Sequence, residues 1–155
     1  MVRKIQITSP AFQDGGWIPQ DYTCDGADIS PELEWSEIPQ NTKSLALISD
    51  DPDAPSGDWV HWVVCDLPPN LSGLPAGMPI IGKLPIGGIQ GRTDFGLIGY
   101  GGPCPPSGIH RYFFKVYALN VLLNLEPGAT KKELLKAMKG HVLAEGQLMG
   151  KYQRQ

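Results

Sequence analysis

The sequence predicts a mainly β, turn-rich fold that forms a single domain over residues 1–155. Its length of 155 residues suits one domain, and its 41% hydrophobic and 19% charged residues are typical of a globular composition. The 19 glycines and 15 prolines divide the chain into short pieces, with apolar runs of strand length between them. A chain of this size can bury roughly 70% of its unfolded surface, so it needs no disulfide or metal to fold.

Net charge and segment composition exclude several classes of protein. The formal net charge is −3 and the pI is about 5.5, which does not suit a nucleic-acid partner. Residues 1–10 contain no apolar stretch of signal-peptide length, and no apolar run is long enough to span a bilayer. We therefore expect a cytoplasmic protein without a transmembrane segment.

The cysteines give no sign of a metal or redox site. Cys24, Cys65 and Cys104 are odd in number, far apart in sequence and form no C-x-x-C pair. A zinc ribbon or a thioredoxin-like site is therefore not predicted. We interpret all three residues as structural thiols.

Four segments before residue 122 are predicted to form strands. Residues 4–12 alternate between apolar and polar side chains, whereas residues 44–50 and 61–68 are short apolar runs typical of buried strands. Residues 110–121, "HRYFFKVYALNV", give the strongest strand pattern. The glycine- and proline-rich stretch 68–109 predicts long loops, which usually carry function in a small domain.

The C-terminal residues 130–148 are predicted to be helical. Thr130 is a candidate N-cap, and Glu133 completes a capping box. Apolar side chains recur at helical spacing at Leu134, Leu135, Met138 and Val142. Gly140 can divide the segment into two helices, and we expect the apolar stripe to dock on the core.

The stretch "DDPDAPSGDWVHW", residues 50–62, places acids, prolines and a histidine between two predicted strands. Proline restricts the residue before it to extended conformations, so a stiff, non-helical loop is expected. In an extended chain Asp51 and Asp53 would point to the same side. A solvated acidic turn is the alternative on composition alone.

The next predicted strand begins with a second pair of residues spaced by two. Side-chain alternation places Trp59 and His61 on one face, together with Val63 and Cys65. If the two strands are neighbours in a sheet, an aspartate can reach the imidazole of His61. Such a contact would fix the tautomer of the ring and favour its protonated form.

Residues 99–114, "GYGGPCPPSGIHRYFF", supply a comparable second segment. Gly101 and Gly102 allow the backbone to approach a ligand or another strand closely, and the prolines stiffen the loop. His110 and Tyr112 share one strand face, with apolar residues beyond them. Both segments therefore run from polar to apolar, which is typical of a shallow pocket with polar groups at its mouth.

The two segments together resemble the phosphatidylethanolamine-binding protein family, and most of all its prokaryotic Raf kinase inhibitor-like branch. The pieces "FQDGGWIPQDYTCDG", "SPELEWSEIPQNTKSLAL" and "MKGHVLAEGQLMGKY" extend the resemblance over nearly the whole chain. The resemblance implies a large central antiparallel sheet, a smaller second sheet in Greek-key order and a peripheral C-terminal helix. It also implies a small anion-binding pocket at one end of the sheet.

Carried over to this sequence, the resemblance implies eight ligand-binding residues. They are Asp51, Asp53, Trp59, His61, Gly102, Pro103, His110 and Tyr112. The histidines, the tyrosine hydroxyl and the glycine-loop amides can donate to an anion. The aspartates would repel phosphate, so we expect them to hold the histidines or to receive an ammonium group.

The expected function is therefore non-enzymatic binding of a small anionic or phosphorylated ligand, with no cofactor. A kinase or protease partner and a homodimer are further expectations from the resemblance. The alternative is a metal-assisted hydrolase that uses the Asp/His cluster. The sequence has none of the known metal-ligand spacings, and a cysteine nucleophile at Cys104 beside His110 is a weaker alternative.

Overall fold

The chain folds into two β-sheets, and the structure, a computed structural model, describes residues 2–154. Within these residues a short 3-10 helix covers Gln20–Tyr22, and the α-helix α1 covers Lys131–Met138. The strands are β1 (Arg3–Lys4), β2 (Gln6–Thr8), β3 (Leu33–Ser36), β4 (Ser44–Asp51), β5 (Trp59–Leu67), β6 (Gly73–Leu74), β7 (Ile89–Gln90), β8 (His110–Leu119) and β9 (Val142–Tyr152).

The larger sheet has six strands in the order β1-β9-β8-β4-β5-β7, and the smaller has three in the order β2-β3-β6. The predicted mainly β fold with a large and a small sheet is thus confirmed. The long strands pair antiparallel, as expected, but β1 lies parallel to β9, so the large sheet is mixed. The predicted strands at residues 44–50, 61–68 and 110–121 are β4, β5 and β8, which form the centre of this sheet.

The large sheet is buried on both faces, which explains the near-continuous apolar runs of β4 and β5. One face packs against the small sheet through residues such as Leu47, Trp62 and Phe114. The other face packs against α1 through residues such as Ile48, Val63 and Leu134. Side chains of consecutive residues in β4 therefore pack into two different hydrophobic clusters, one on each face of the sheet.

The helix prediction for residues 130–148 is correct only in its first half. Thr130 caps α1 with the predicted capping box to Glu133, and the helix ends at Met138. Residues Val142–Tyr152 instead form β9, which pairs with β8 along its whole length. At eight residues α1 cannot cross a bilayer, and no other helix within residues 2–154 is long and apolar enough to do so.

The prediction of three structural thiols is wrong for two of the cysteines. Cys24 and Cys104 form a disulfide across 80 residues of sequence. Their loops meet because the Cys24 N–H donates to the carbonyl oxygen of Pro103 at 3.1 Å. Cys65 is a buried free thiol in β5, as predicted, and burial raises its pKa to about 12.

Candidate functional site

A cavity of about 260 Å³ lies at the edge of the large sheet where β4 ends and β5 and β8 begin. Antiparallel pairing brings these three strand ends together, so that Asp51 is opposite Trp59 in the sheet register. Three loops complete the walls. The lining residues are Asp51, Ala54, Pro55, Ser56, Trp59, His61, Phe95, Cys104, Pro105, Pro106 and His110.

His110, the first residue of β8, is held by a buried carboxylate. Its Nδ1 lies 2.6 Å from Oδ2 of Asp51, and the two side chains are only 8% and 4% exposed. Since an ionised carboxylate can only accept, Nδ1 carries the proton and Nε2 is left for a ligand. The expectation that an aspartate holds a histidine is therefore met at His110.

His61, in β5, is held by the main chain instead. Its Nδ1 lies 2.6 Å from the carbonyl oxygen of Gly101 and must donate, because a carbonyl oxygen cannot. The Gly101 N–H donates back to the carbonyl oxygen of His61 at 3.0 Å. The two bonds fix the ring of His61 and leave its Nε2 uncommitted, as at His110.

A β-bulge decides where the side chain of His61 points. Opposite β4, Ser49 pairs with Trp62 and Asp50 pairs with Val60, so His61 is the extra residue. Bulges often re-aim a side chain next to a functional site. Here the bulge places His61 against the ring of Tyr112 on the face towards the small sheet.

The same bulge overturns the predicted face of β5. Trp59 and His61 do share one side, since both line the cavity. Val63 and Cys65, however, lie on the opposite face of the sheet and pack with the residues around α1. Strict alternation fails because His61 is an extra residue in β5, so that the residues after it point to the opposite face from the one that alternation predicts.

Burial disfavours the charged form of His61. The ring is 3% exposed, and desolvation lowers its pKa below the usual 6.5. The hydrogen bond to Gly101 and the charge of Asp51 act in the opposite direction but are weaker. The neutral form of His61 is therefore favoured near pH 7, and its Nε2 is an acceptor until the ring takes up a proton.

The side chains of Asp51 and Asp53 do not act as a pair. β4 ends at Asp51 and the chain turns, because Oδ1 of Asp51 accepts the N–H of Asp53 at 2.7 Å. Asp53 instead receives the backbone N–H, Nε and Nη2 of Arg111, each at 2.9 Å. Residues 51–53 are not extended, because a side-chain turn forms there, so the condition under which Asp51 and Asp53 would point to the same side is not met.

The loop at residues 101–106, called here the strap, forms one wall of the cavity. Cys104, Pro105 and Pro106 line it, whereas Gly102 and Pro103 lie just before them in the strap. The Gly102 N–H donates to Oδ1 of Asp28 at 2.7 Å. Gly102 must be glycine, because a Cβ there would lie 2.3 Å from the carbonyl oxygen of Tyr22.

Aromatic rings hold the two histidines in place. The ring of Tyr112 lies between them, edge-on to His61 at 5.2 Å and stacked on His110 at 6.4 Å. Phe95 packs edge-on to both His61 and Trp59. Burial raises the pKa of the Tyr112 hydroxyl, so that side chain stays neutral.

The structure thus brings Asp51, Trp59, His61 and His110 together around one cavity. Tyr112 supports the histidine rings, while Asp53, Gly102 and Pro103 bond to neighbouring residues of the protein. Direct ligand contact by any of the eight residues stays a prediction. Sequence reasoning missed Phe95 and the wall residues Ala54, Pro55, Ser56, Pro105 and Pro106, although the prolines of both quoted motifs were a signal.

The residues described, 2–154, contain no group of three or more His, Cys, Asp or Glu side chains placed to hold a metal ion. Asp51, which a metal would need as a ligand, is committed to His110 and to the N–H of Asp53. Among residues 2–154, this Asp/His group is therefore not arranged as a set of metal ligands.

Comparison with known proteins identifies the family. A sequence profile described as phosphatidylethanolamine-binding protein matches residues 8–153. A UPF0098 protein of Methanothermobacter thermautotrophicus is 55% identical over 150 residues, covering 97% of this chain and 99% of the relative. A UPF0098 protein of Aquifex aeolicus is 50% identical over 155 residues, covering 97% of this chain and 89% of the relative.

Two solved structures agree with this result. The crystal structure of a phosphatidylethanolamine-binding protein homologue from Chlamydia trachomatis is 44% identical, with a TM-score of 0.91 and 99% coverage of both chains. That of Escherichia coli YbcL, described as a member of the mammalian family, is 34% identical, with a TM-score of 0.90 and coverage of 98% and 99%. The chain therefore belongs to the phosphatidylethanolamine-binding protein family.

Proposed function

We propose that the protein binds small organic anions, such as phosphate monoesters, in the cavity between His61 and His110 without catalysing a reaction. One observation carries the proposal. Both histidines use Nδ1, at 2.6 Å, to bond to the protein, and both line the cavity with Nε2 free. Two fixed imidazoles that can each donate once protonated are well suited to an anionic group.

The charge of Asp51 limits how tightly an anion binds. The carboxylate orients the ring of His110 but its negative charge repels an anionic ligand. We therefore expect affinities in the micromolar range or weaker, corresponding to a binding free energy of about 8 kcal/mol or less. Such a site exchanges its ligand rapidly and suits a sensor or carrier of an abundant metabolite or head group.

The walls of the cavity favour an anion that carries a small apolar group. Pro55, Trp59, Phe95 and Pro105 present mainly apolar surface around the polar end formed by the histidines. An organic phosphate buries part of that apolar surface, whereas inorganic phosphate leaves the surface exposed to water. We therefore expect phenyl phosphate to bind more tightly than inorganic phosphate.

The first experiment measures binding of phenyl phosphate and inorganic phosphate by isothermal titration at pH 5.5 and pH 8. Because burial lowers the pKa of His61 and a bound anion stabilises the imidazolium, binding takes up a proton. Affinity should rise as the pH falls, by about tenfold or more between the two values. Equal affinity at both pH values would refute the role of protonated histidine.

Substitution of single histidines assigns the site. His61→Gln and His110→Gln should each weaken phenyl phosphate binding by about tenfold or more, since each removes a charge-assisted hydrogen bond. His141→Gln is the matched control, because His141 bonds to Asn120 away from the cavity. If the control loses as much affinity as the cavity variants, the ligand binds elsewhere.

The remaining expectations complete the proposal. A kinase or protease partner that presents an anionic group, a homodimer and a cytoplasmic location each stay predictions. A pull-down repeated with His61→Gln tests whether any partner uses the cavity. A hydrolase is not supported, since the described residues offer no metal cluster.

A further inference from the structure

The strap is attached to the protein differently in its two halves. Its first half is held by hydrogen bonds, from Gly101 to His61 and from Gly102 to Asp28. Its second half begins at Cys104, whose disulfide to Cys24 ties it to the loop around the 3-10 helix. Pro105 and Pro106 have no N–H with which to form further hydrogen bonds.

Beyond these prolines the chain has little to hold it. Residues Ser107, Gly108 and Ile109 are exposed, and the next fixed residue is His110 at the start of β8. The disulfide is thus the covalent anchor of the part of the strap that lines the cavity, and it acts beside two hydrogen bonds, from the Cys24 N–H to the carbonyl oxygen of Pro103 and from the Cys104 backbone to the Tyr112 hydroxyl. Both of its cysteines are partly exposed, so a thiol in solution can reach them.

We propose that the Cys24–Cys104 disulfide is a reversible modification site through which thiol reductants control ligand binding. The inference rests on the proposed function, because the controlled quantity is anion affinity. The oxidised strap holds Cys104, Pro105 and Pro106 against the ligand cavity. The reduced strap samples other positions, and the fraction of molecules with a complete cavity falls.

The chemistry balances with a dithiol as the reductant. One thiolate of the dithiol attacks a sulfur of the Cys24–Cys104 bond, which breaks, and its second thiol then closes a cyclic disulfide. Two electrons and two protons pass from the dithiol to the protein, leaving two cysteine thiols. The buried thiol of Cys65 takes no part, because burial raises its pKa to about 12.

The size of the effect follows from the fraction of competent molecules. Apparent affinity falls in proportion to the population that retains the binding arrangement. If the reduced strap lines the cavity in about a tenth of the molecules, affinity for phenyl phosphate falls about tenfold. The sheet residues of the site keep their positions, because their contacts do not depend on the disulfide.

The experiment titrates phenyl phosphate into oxidised and dithiothreitol-reduced protein at pH 7, with circular dichroism to verify that the sheet is retained. Amide hydrogen exchange of residues 101–109 is measured on the same samples. We expect binding about tenfold weaker after reduction, and faster exchange confined to the amides of Cys104 and residues 107–109. Equal or tighter binding by the reduced protein would overturn the proposal while leaving the proposed anion site standing.

Variants separate the disulfide from other effects of the reductant. Cys24→Ser removes the bond without altering a cavity-lining residue, so it should bind like reduced protein and no longer respond to dithiothreitol. Cys65→Ser should respond to dithiothreitol like the parent chain. A Cys24→Ser variant that binds like oxidised protein contradicts redox control. Absence of binding in every form overturns the proposed function, and redox control of binding with it.

Discussion

Asp50 and Asp51 are adjacent and both buried, yet they lie on opposite faces of the large sheet and have different partners. Asp50 lies on the face of α1, where Oδ2 accepts from Lys115 at 3.2 Å and Lys131 at 2.7 Å. Asp51 lies on the cavity face and bonds to His110. Lysines keep their charge throughout the physiological pH range, whereas a histidine does not.

The comparison shows how one strand end serves both structure and recognition. On the α1 face the carboxylate is neutralised permanently, and Lys131 also bonds to Asp58 and so joins the helix to the sheet. On the cavity face the partner is the imidazole of His110, which lines the cavity and uses only Nδ1 to bond to Asp51. The first arrangement is suited to stability and the second to a ligand that arrives and leaves.

The largest effect is expected from Asp51→Ala. His110 would lose its buried partner, and the N–H of Asp53 would lose its acceptor. We expect the free energy of unfolding to fall by about 3 kcal/mol, as for other broken buried pairs. Urea unfolding measures the loss, and titration should show phenyl phosphate binding weakened by more than tenfold. Unchanged or tighter binding would show that repulsion by Asp51 outweighs its support of His110.

Asp50→Ala provides the contrasting case on the other face. Lys115 and Lys131 are 30% and 21% exposed, so both can turn to water once the carboxylate is gone. We expect a loss of about 1–2 kcal/mol in urea unfolding, since the lysines are not left buried and unpaired. Binding should change by less than about twofold, and a larger loss would mean that the two faces are coupled.

The smallest effect is expected from Asp53→Asn. Arg111 is half exposed, and such surface ion pairs contribute about 1 kcal/mol or less. Arg111 lowers the pKa of Asp53 to about 2, below its usual 3.8. The stability difference from the parent chain should therefore be present above pH 4 and vanish as the pH falls through 2. Binding that weakens with this variant would instead favour direct ligand contact by Asp53.

The central strands were predictable because the residue types in them indicate burial on both faces of a sheet. The runs at β4, β5 and β8 are apolar and rich in β-branched or aromatic side chains, which a doubly covered sheet requires. The capping box of α1 was equally easy to predict, because it depends only on Thr130 and Glu133, which are three residues apart. The cavity residues of β4, β5 and β8 followed from these strands and from the family resemblance.

The C-terminal strand was not predictable from the same patterns. Buried residues alternate along β9. Two of the positions in this alternation, Gly146 and Gly150, are glycines and so add nothing to an apolar pattern. A Cβ on Gly146 would lie 2.0 Å from the carbonyl oxygen of Ile5. At these two positions neighbouring residues occupy the space that a side chain would fill. A search for apolar side chains at regular spacing cannot detect such positions.

The bulge at His61 and the disulfide depend on contacts far apart in sequence. The residues around His61 in the sequence do not indicate a bulge. The bulge is recognised only from how β5 pairs with Ser49 and Asp50 of β4. Cys24 and Cys104 lie in two loops whose approach is fixed by hydrogen bonds between them. Such features depend on tertiary structure, so local sequence patterns cannot predict them.

The position of β9 in the large sheet also determines when the site can form during synthesis. β8, which carries His110, lies between β4 and β9, and β9 in turn pairs with β1 from the start of the chain. A ribosome that has made β4, β5 and β8 therefore holds a sheet with an open apolar edge. Closure waits until residue 152 has emerged, so we expect slow, late folding that is dominated by non-local contacts. Until then we expect the open edge of β8 to be the part of the nascent chain most prone to wrong pairing.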